Sequence, residues 1–211
     1  QRIGKAIRDK GADVALITQL DSIAWLLNIR GNDVPRLPVL LSNSTLATDG
    51  AMTLFTDLGK IPRELHEHVG DGVTVESDTE IGSRLSSFSE LKVLCDPEAT
   101  NAFTALRCVE AGASLVEGQD PVLLPKAQKN SVELQGMRNC HIRDGSAVTR
   151  FLAWLSREVA EGNLHDEAIL ADKLLSFRNE LEDIRDLSFD TISAAGSNSA
   201  ICHYNHVNGD P

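Results

Sequence analysis

Histidine side chains are the first candidates for chemistry in this chain, since imidazole can bind a metal ion or exchange a proton near neutral pH. Two close pairs occur, His66 with His68 and His203 with His206. His66 and His68 lie two positions apart on a predicted helix, so they point to different faces and cannot share a metal ion there. His203 lies at the end of a predicted strand and is the stronger candidate. Its spacing alone also fits an ordinary loop or core histidine, and that alternative stays open.

The common catalytic motifs are absent from the sequence. It contains no glycine-rich nucleotide loop, nucleophile elbow, H-E-x-x-H zinc motif or EF-hand loop. The four cysteines are widely spaced and match no zinc framework. Cys95, Cys108 and Cys140 have apolar neighbours, so we expect them to be buried free thiols. Free thiols indicate a reducing compartment, which favours a cytoplasmic protein.

Charge and hydropathy exclude two classes of partner. The chain has 31 acidic and 20 basic residues and a formal net charge of −11. Such a surface repels phosphate backbones, so we expect no nucleic-acid partner. The longest apolar run, residues 23–27, is far shorter than the roughly 20 residues of a membrane span, so we expect no membrane partner.

Strand and helix periodicities alternate through the first 120 residues. Short apolar runs separated by helical patterns predict a layered α/β domain with a mixed sheet of about six strands. The Asp49-Gly50 pair predicts a tight hairpin turn, because glycine readily adopts positive φ. The predicted strand segments are residues 14–17, 38–41, 46–48, 52–56, 73–75, 93–95 and 114–116.

The pattern changes near residue 126. Two prolines in residues 120–126 predict an extended connector, and Asn130-x-x-Glu133 predicts a capping box that opens an amphipathic helix of about eight turns. A second helix is predicted over 165–179, followed by strands over 189–193 and 200–204. These elements cannot close a domain, and the chain opens at Gln1 without an initiator Met or a signal peptide. We therefore expect domains over 1–125 and 126–211 in a chain cut at both ends.

Three segments together resemble the aminopeptidase P family, in its long three-domain form of Xaa-Pro aminopeptidase. The first is LDSIAWLLNIRGNDV at residues 20–34, followed by Pro38-Val39. The second runs from KAQKN at 126–130 through ELQGMR at 133–138 to HIRDG at 141–145. The third is SFDTISAAGSNSA at 188–200, followed by His203-Tyr204. Their order and spacing agree with the family over nearly the whole chain.

The resemblance implies both a fold and an activity. Residues 1–125 would form the second of three domains, a creatinase-N-terminal-like α/β domain. Residues 126–211 would form the incomplete start of a pita-bread α+β catalytic domain. Family members remove the N-terminal residue from peptides with proline in second position. They use two divalent metal ions, usually manganese, held by two Asp, one His and two Glu.

The resemblance also bears on the site residues. The family's five metal ligands lie C-terminal to the His203-Tyr204 segment, so none is assigned here and residues 1–211 alone are expected to be inactive. His203 matches a family histidine in the substrate pocket, where it would donate a hydrogen bond to the substrate or to the tetrahedral intermediate. Two departures from the family pattern are Cys202, in place of an aliphatic residue, and the lack of a proline near His206, which receives no role. The expected partners are an Xaa-Pro peptide substrate and, as in many family members, a second copy in a homodimer.

Two alternatives remain open. One is a non-catalytic peptide-binding module with a pita-bread fold, as in certain histone-chaperone subunits that have lost the metal ligands. The other is a sister hydrolase of the prolidase or creatinase type. Residues 29–34 (IRGNDV) and the implied extra N-terminal domain favour the aminopeptidase over the sister hydrolases.

Overall fold

The structure, a computed structural model, describes residues 1–207. The chain divides into unit 1, Gln1–Gln128, and unit 2, Lys129–Pro211. The helices of unit 1 are α1 (Arg2–Asp9), α2 (Leu20–Leu27), α3 (Glu64–Val69), α4 (Ile81–Leu85), α5 (Ala102–Glu110) and α6 (Leu123–Ala127). Its strands are β1 (Val14–Ile17), β2 (Ser42–Ala47), β3 (Met52–Thr56), β4 (Val73–Ser77), β5 (Lys92–Cys95) and β6 (Ser114–Glu117). Short 3₁₀ turns lie at Leu58–Lys60 and Asp78–Glu80.

The six strands of unit 1 form one mixed sheet, in the order β4-β3-β2-β1-β5-β6. The β1–β2 and β2–β3 pairs are antiparallel, whereas β3–β4, β1–β5 and β5–β6 are parallel. Val14 of β1 lies opposite Ala47 on one side and Val93 on the other. The prediction of an α/β domain with a mixed sheet is confirmed.

The tight turn between β2 and β3 forms at the predicted dipeptide. Gly50 has a φ of 100°, which is accessible to glycine at little energetic cost. The Asp49 carboxylate accepts a hydrogen bond of 2.9 Å from the backbone N–H of Ala51, and Gly50 N–H donates to the carbonyl of Ala47 at 3.0 Å. These local bonds fix the turn and with it the register of the hairpin.

Strand β1 divides the interior of unit 1 into two hydrophobic cores. Ala15 and Ile17 pack in one core with residues of α1, α2 and α3. Val14 and Leu16 pack in the other with residues of α4 and α5. Successive side chains of a strand point to opposite faces of a sheet, so a four-residue apolar run marks a strand covered on both sides. Unit 1 therefore has helices on both faces of its sheet.

The predicted strand over residues 38–41 is wrong. That segment joins no strand of the sheet, and its backbone pairs with the nearby loop at residues 31–33 instead. The Pro38 carbonyl accepts from Gly31 N–H at 3.3 Å, and Leu41 N–H donates to the Asp33 carboxylate at 2.7 Å. Strand β2 begins at Ser42, after this segment, and includes most of the separately predicted strand over residues 46–48.

The extended connector predicted over residues 120–126 is also wrong, because its second half forms α6. Asp120 is buried and accepts a hydrogen bond of 2.8 Å from Val122 N–H and one of 2.7 Å from Ser22 Oγ. Pro125 lies within the first turn of α6, where a backbone N–H has no partner inside the helix. A proline at such a position does not prevent a helix.

Unit 2 consists of α7 (Ser131–Ala160), α8 (Glu167–Asn179) and a 3₁₀ turn at Gly196–Ala200, as far as residue 207. The predicted capping box is confirmed: Glu133 N–H donates to Asn130 Oδ1 at 2.9 Å, and Asn130 N–H donates to Glu133 Oε2 at 2.8 Å. Polar and aromatic contacts join the two helices. The Arg178 guanidinium of α8 donates to Asp144 of α7 at 2.7 and 3.2 Å, and the ring of Trp154 on α7 stacks on that of His165, just before α8, with centroids 5.0 Å apart.

The strands predicted over 189–193 and 200–204 are wrong. Through residue 207, the described part of unit 2 contains no strand. A strand forms only where a neighbouring strand takes its backbone hydrogen bonds. With no such neighbour within residues 129–207, the apolar pattern of these segments has nothing to pair with, and residues 196–200 form the 3₁₀ turn.

Candidate functional site

His203 lies in a turn whose backbone is unusual. The turn follows the 3₁₀ segment and is closed by a hydrogen bond of 3.3 Å from Tyr204 N–H to the Ile201 carbonyl. His203 itself has a φ of 54°, in the left-handed region. For a residue with a Cβ this conformation costs about 1–2 kcal/mol, so neighbouring contacts must hold it. The imidazole is exposed, while the next residue, Tyr204, is buried with 8% of its surface accessible.

A carboxylate from α8 lies beneath this turn. Glu167, in the first turn of α8, accepts a hydrogen bond of 2.5 Å from Ala195 N–H through Oε1. The Asn198 side-chain amide donates to the two carboxylate oxygens at 3.3 and 3.2 Å, and also to the Tyr204 hydroxyl at 3.1 Å. The hydrogen bond from Ala195 is the main reason why the pKa of Glu167 lies below its ordinary value, and partial burial opposes it. Bonds from Tyr204 and Asn198 act in the same direction as that from Ala195.

Sequence reasoning missed Glu167 and Asn198. An acidic residue in the first turn of a helix is ordinarily explained by the helix dipole, so its position does not predict a site role for Glu167. Asn198 lies in a run of small polar residues that is typical of loops. That loop was predicted to lie between two strands, and its backbone N–H groups require hydrogen-bond acceptors. This requirement could have indicated a nearby acceptor such as Glu167.

The remaining histidines do not gather into a site. His206 is half-buried, and its Nδ1 is buried without a hydrogen-bond partner among the residues described. His66 is exposed on α3, and His68 on the same helix has Nε2 2.9 Å from the carbonyl oxygen of Leu27. No group of three or more His, Cys, Asp or Glu side chains within residues 1–207 is arranged to hold a metal ion.

The cysteines are free, and two of them match the expectation of burial. Cys95 and Cys108 are buried, and burial raises the pKa of Cys95 to about 12 and that of Cys108 to about 11. The same expectation is wrong for Cys140, which is exposed. Cys140 lies on α7, where only Ala147 is buried, so apolar neighbours in sequence do not place it in a core.

Unit 1 carries a cleft of about 640 Å³ beside residues 28–33, part of the first family-like segment. One wall is held by Asp33, which accepts from Lys60 Nζ at 2.9 Å. This bond lowers the pKa of Asp33 and raises the pKa of Lys60. A Cβ on Gly31 would lie 2.6 Å from the carbonyl oxygen of Val39, so only glycine fits there. Packing within unit 1 therefore explains the glycine of this segment.

Comparison with known families agrees with this architecture. Residues 1–133 match the creatinase/prolidase N-terminal domain, and residues 135–211 match metallopeptidase family M24. A probable Xaa-Pro aminopeptidase P of Leptosphaeria maculans is 37% identical, over 98% of this chain and 38% of its own length. Xaa-Pro aminopeptidase 1 of Dictyostelium discoideum is 36% identical, over 97% of this chain and 33% of its own length. The chain thus spans about a third of the length of these relatives.

Solved structures extend the comparison to the fold. The crystal structure of X-prolyl aminopeptidase from Caenorhabditis elegans, described as a cytosolic enzyme with a di-nuclear active site, superposes with a TM-score of 0.87 at 34% identity. The match covers 96% of this chain and 34% of that one. The Xaa-Pro dipeptidase of Bacillus anthracis shares the fold at 13% identity, with a TM-score of 0.62 over 85% of this chain and 47% of that one. No helix through residue 207 combines the length and apolar character needed to cross a membrane. The resemblance to Xaa-Pro aminopeptidases is confirmed, and the chain belongs to the creatinase/prolidase N-terminal domain family, with an M24 metallopeptidase segment following that domain.

Proposed function

We propose that the protein is a metal-dependent aminopeptidase that removes the N-terminal residue from peptides with proline in second position. The observation that carries the proposal is the match to Xaa-Pro aminopeptidases across both units at once. Identity of 34% and a TM-score of 0.87 extend over 96% of the chain. The prolidase-type relative matches far less well, at 13% identity.

The metal ions are part of the proposal, although residues 1–207 do not supply their ligands. Two divalent ions, with manganese the first to test, are held by side chains outside this sequence. Residues 1–211 alone are then inactive. The supporting observations are the M24 match over residues 135–211 and the di-nuclear active site of the C. elegans relative.

His203 is the residue of this chain to which we assign a catalytic role. Its exposed imidazole donates a hydrogen bond to the bound substrate or to the oxyanion of the tetrahedral intermediate. Two observations support this assignment: the side chain is accessible, and its backbone is held in a conformation that is unfavourable for histidine. Such conformations persist where the surrounding structure enforces them, and they are concentrated at functional sites.

The test of the activity uses the full-length protein loaded with manganese. Hydrolysis of Ala-Pro-Ala is compared with that of Ala-Ala-Ala and of the dipeptide Ala-Pro. We expect release of the first residue from Ala-Pro-Ala, with Ala-Ala-Ala a poor substrate. Cleavage of the dipeptide but not of the tripeptide would identify a prolidase. Binding of the proline peptide without cleavage, by protein that fails to retain metal, would identify a binding module.

The test of His203 uses His203→Ala in the same protein, with His66→Ala as the matched control on α3, because alanine has no side-chain donor. Loss of one preorganised donor to a developing oxyanion typically lowers kcat about 10² to 10³-fold. We expect a loss of this size for His203→Ala and no change for His66→Ala, at equal metal content. Equal kcat values for the two variants would remove His203 from the mechanism.

We also propose a cytoplasmic location and a homodimer with no nucleic-acid or membrane partner. Buried free thiols and the cytosolic C. elegans relative support the location. Sedimentation of the full-length protein at micromolar concentration tests the dimer, and a single species of monomer mass would refute it.

A further inference from the structure

The Glu167 carboxylate is not needed to cap its own helix. Asp166 fills that role, because its Oδ1 accepts a hydrogen bond of 2.8 Å from Ile169 N–H at the start of α8. Glu167 instead turns toward residues 195–198 and accepts from the Ala195 backbone and the Asn198 side chain. It therefore connects a rigid helix to the segment that leads to His203.

A continuous chain of hydrogen bonds reaches from Glu167 to the residue beside His203. Asn198 donates both to the Glu167 carboxylate and to the hydroxyl of Tyr204, 3.1 Å away. Tyr204 is among the few buried residues of unit 2, so its ring and its hydroxyl are both fixed. Tyr204 N–H in turn closes the turn that contains His203. The position of the imidazole thus depends on α8 through two side chains.

Regular secondary structure contributes little to holding this segment. Residues 180–207 contain no helix or strand apart from the 3₁₀ turn at Gly196–Ala200. Side-chain hydrogen bonds must therefore supply the order that a backbone ladder supplies elsewhere. The positive φ of His203 requires such order, because the free segment would relax to a more favourable conformation.

We infer that Glu167 is a positioning residue, which acts on catalysis by holding residues 195–204 so that His203 faces the substrate. The inference rests on the proposed role of His203. A carboxylate suits this position because it only accepts hydrogen bonds, and Ala195 N–H, the Asn198 amide and the Tyr204 hydroxyl all donate to it. Charge-assisted hydrogen bonds of this kind are roughly twice as strong as neutral ones.

A double-mutant cycle in the full-length metal-loaded enzyme tests the inference. The variants are Glu167→Gln, His203→Ala and the double variant, with Glu180→Gln at the other end of α8 as the matched control. Glu167→Gln is expected to lower kcat about 10-fold with little change in KM, since only the transition-state contact is weakened. In the His203→Ala background the same change is expected to lower kcat less than about 2-fold, because residues that act as one unit are not additive. Glu180→Gln should leave kcat unchanged in both backgrounds.

Equal losses from Glu167→Gln in the two backgrounds, or no loss in either, would overturn the inference while leaving the proposed activity intact. A second readout does not depend on turnover. The side-chain NMR resonances of His203 are expected to shift in Glu167→Gln and to stay in place in Glu180→Gln. Resonances of His203 that are identical in both variants would overturn the inference even if the wild-type protein cleaved no peptide. The absence of cleavage by the wild-type protein would instead refute the proposed function.

Discussion

Gly4 lies inside helix α1, at a position where the fold requires glycine even though glycine weakens helices. A Cβ added to Gly4 would lie 2.4 Å from the carbonyl oxygen of Thr48 and 3.3 Å from that of Ala47. Real Cβ atoms essentially never approach within 3.0 Å, so Gly4→Ala must move α1 away from the end of β2 by roughly 0.6 Å. The shift would disturb Ile3 and Ile7, which α1 buries in the core.

Two opposing contributions set the size of the effect. Replacing a helical glycine by alanine stabilises a helix by about 1 kcal/mol. Forcing an extra atom into a packed interface costs about 1–3 kcal/mol. We therefore expect Gly4→Ala to lower the free energy of unfolding by about 1 kcal/mol. At Gly82, on α4, the new Cβ would meet Phe103 at an ordinary distance of 3.7 Å. Gly82→Ala should therefore raise the free energy of unfolding by up to about 1 kcal/mol.

Urea unfolding measures the difference between the two variants. The measurement uses a Trp154→Phe background, in which Trp25 is the one remaining tryptophan and its fluorescence reports on unit 1. The midpoint should fall for Gly4→Ala and rise for Gly82→Ala, with equal slopes m, as expected when only stability changes. Should Gly4→Ala stabilise the chain as much as Gly82→Ala does, the close packing of α1 on β2 would be refuted.

Two further predictions concern groups whose pKa the fold shifts. Iodoacetamide at pH 8 should modify the exposed Cys140 and Cys202 and leave Cys95 and Cys108 unmodified until urea is added, because burial keeps the latter two as thiols. Peptide mass spectrometry measures the modification of each cysteine. Labelling of Cys95 before urea is added would contradict the prediction. The pKa of Asp33 is lowered mainly by its hydrogen bond from Lys60. The ionised Asp33 therefore stabilises the fold fully above pH 3.8, its ordinary pKa, and this stabilisation is lost as the pH falls through the lower pKa of the folded state. Asp33→Asn should therefore flatten the acid limb of stability measured by urea unfolding between pH 2 and 5, whereas Asp71→Asn, with the same charge change at an exposed turn, should follow the wild type.

The fold of unit 1 could be predicted wherever side-chain pattern and burial agree. The apolar run of β1 and the Asp49-Gly50 turn are both determined by the local sequence. Strand β2 was partly missed because its first residues are polar but buried. The Ser44 hydroxyl donates to the Ile17 carbonyl at 3.2 Å, and that of Ser42 to the Leu40 carbonyl at 3.1 Å. Serine and threonine can be buried in a core when their hydroxyl groups form hydrogen bonds with neighbouring backbone groups. A prediction based on hydropathy does not detect such residues.

The candidate site was less accessible to sequence reasoning. The family-like pattern marked His203, whose role stays a prediction, but nothing local in the sequence indicated Glu167, 36 positions earlier. A hydrogen bond between a helix and a distant loop has no periodicity, so it becomes visible only when the coordinates bring the two together. The wrong strands at 189–193 and 200–204 have a related cause, since apolar alternation describes a strand without showing whether a partner strand exists.

The sequence separation of the paired strands of unit 1 predicts the order in which its sheet assembles. The hairpin of β2 and β3 is the most local pairing, and β1 and β4 join it across about 20 to 35 positions. β5 must then reach β1 from about 80 positions away, as in the pairing of Val14 with Val93. Long-range parallel pairings of this kind form slowly. Until β5 arrives, the apolar edge of β1 is open to pairing with another chain, so this edge is where misassembly of a newly made molecule would begin.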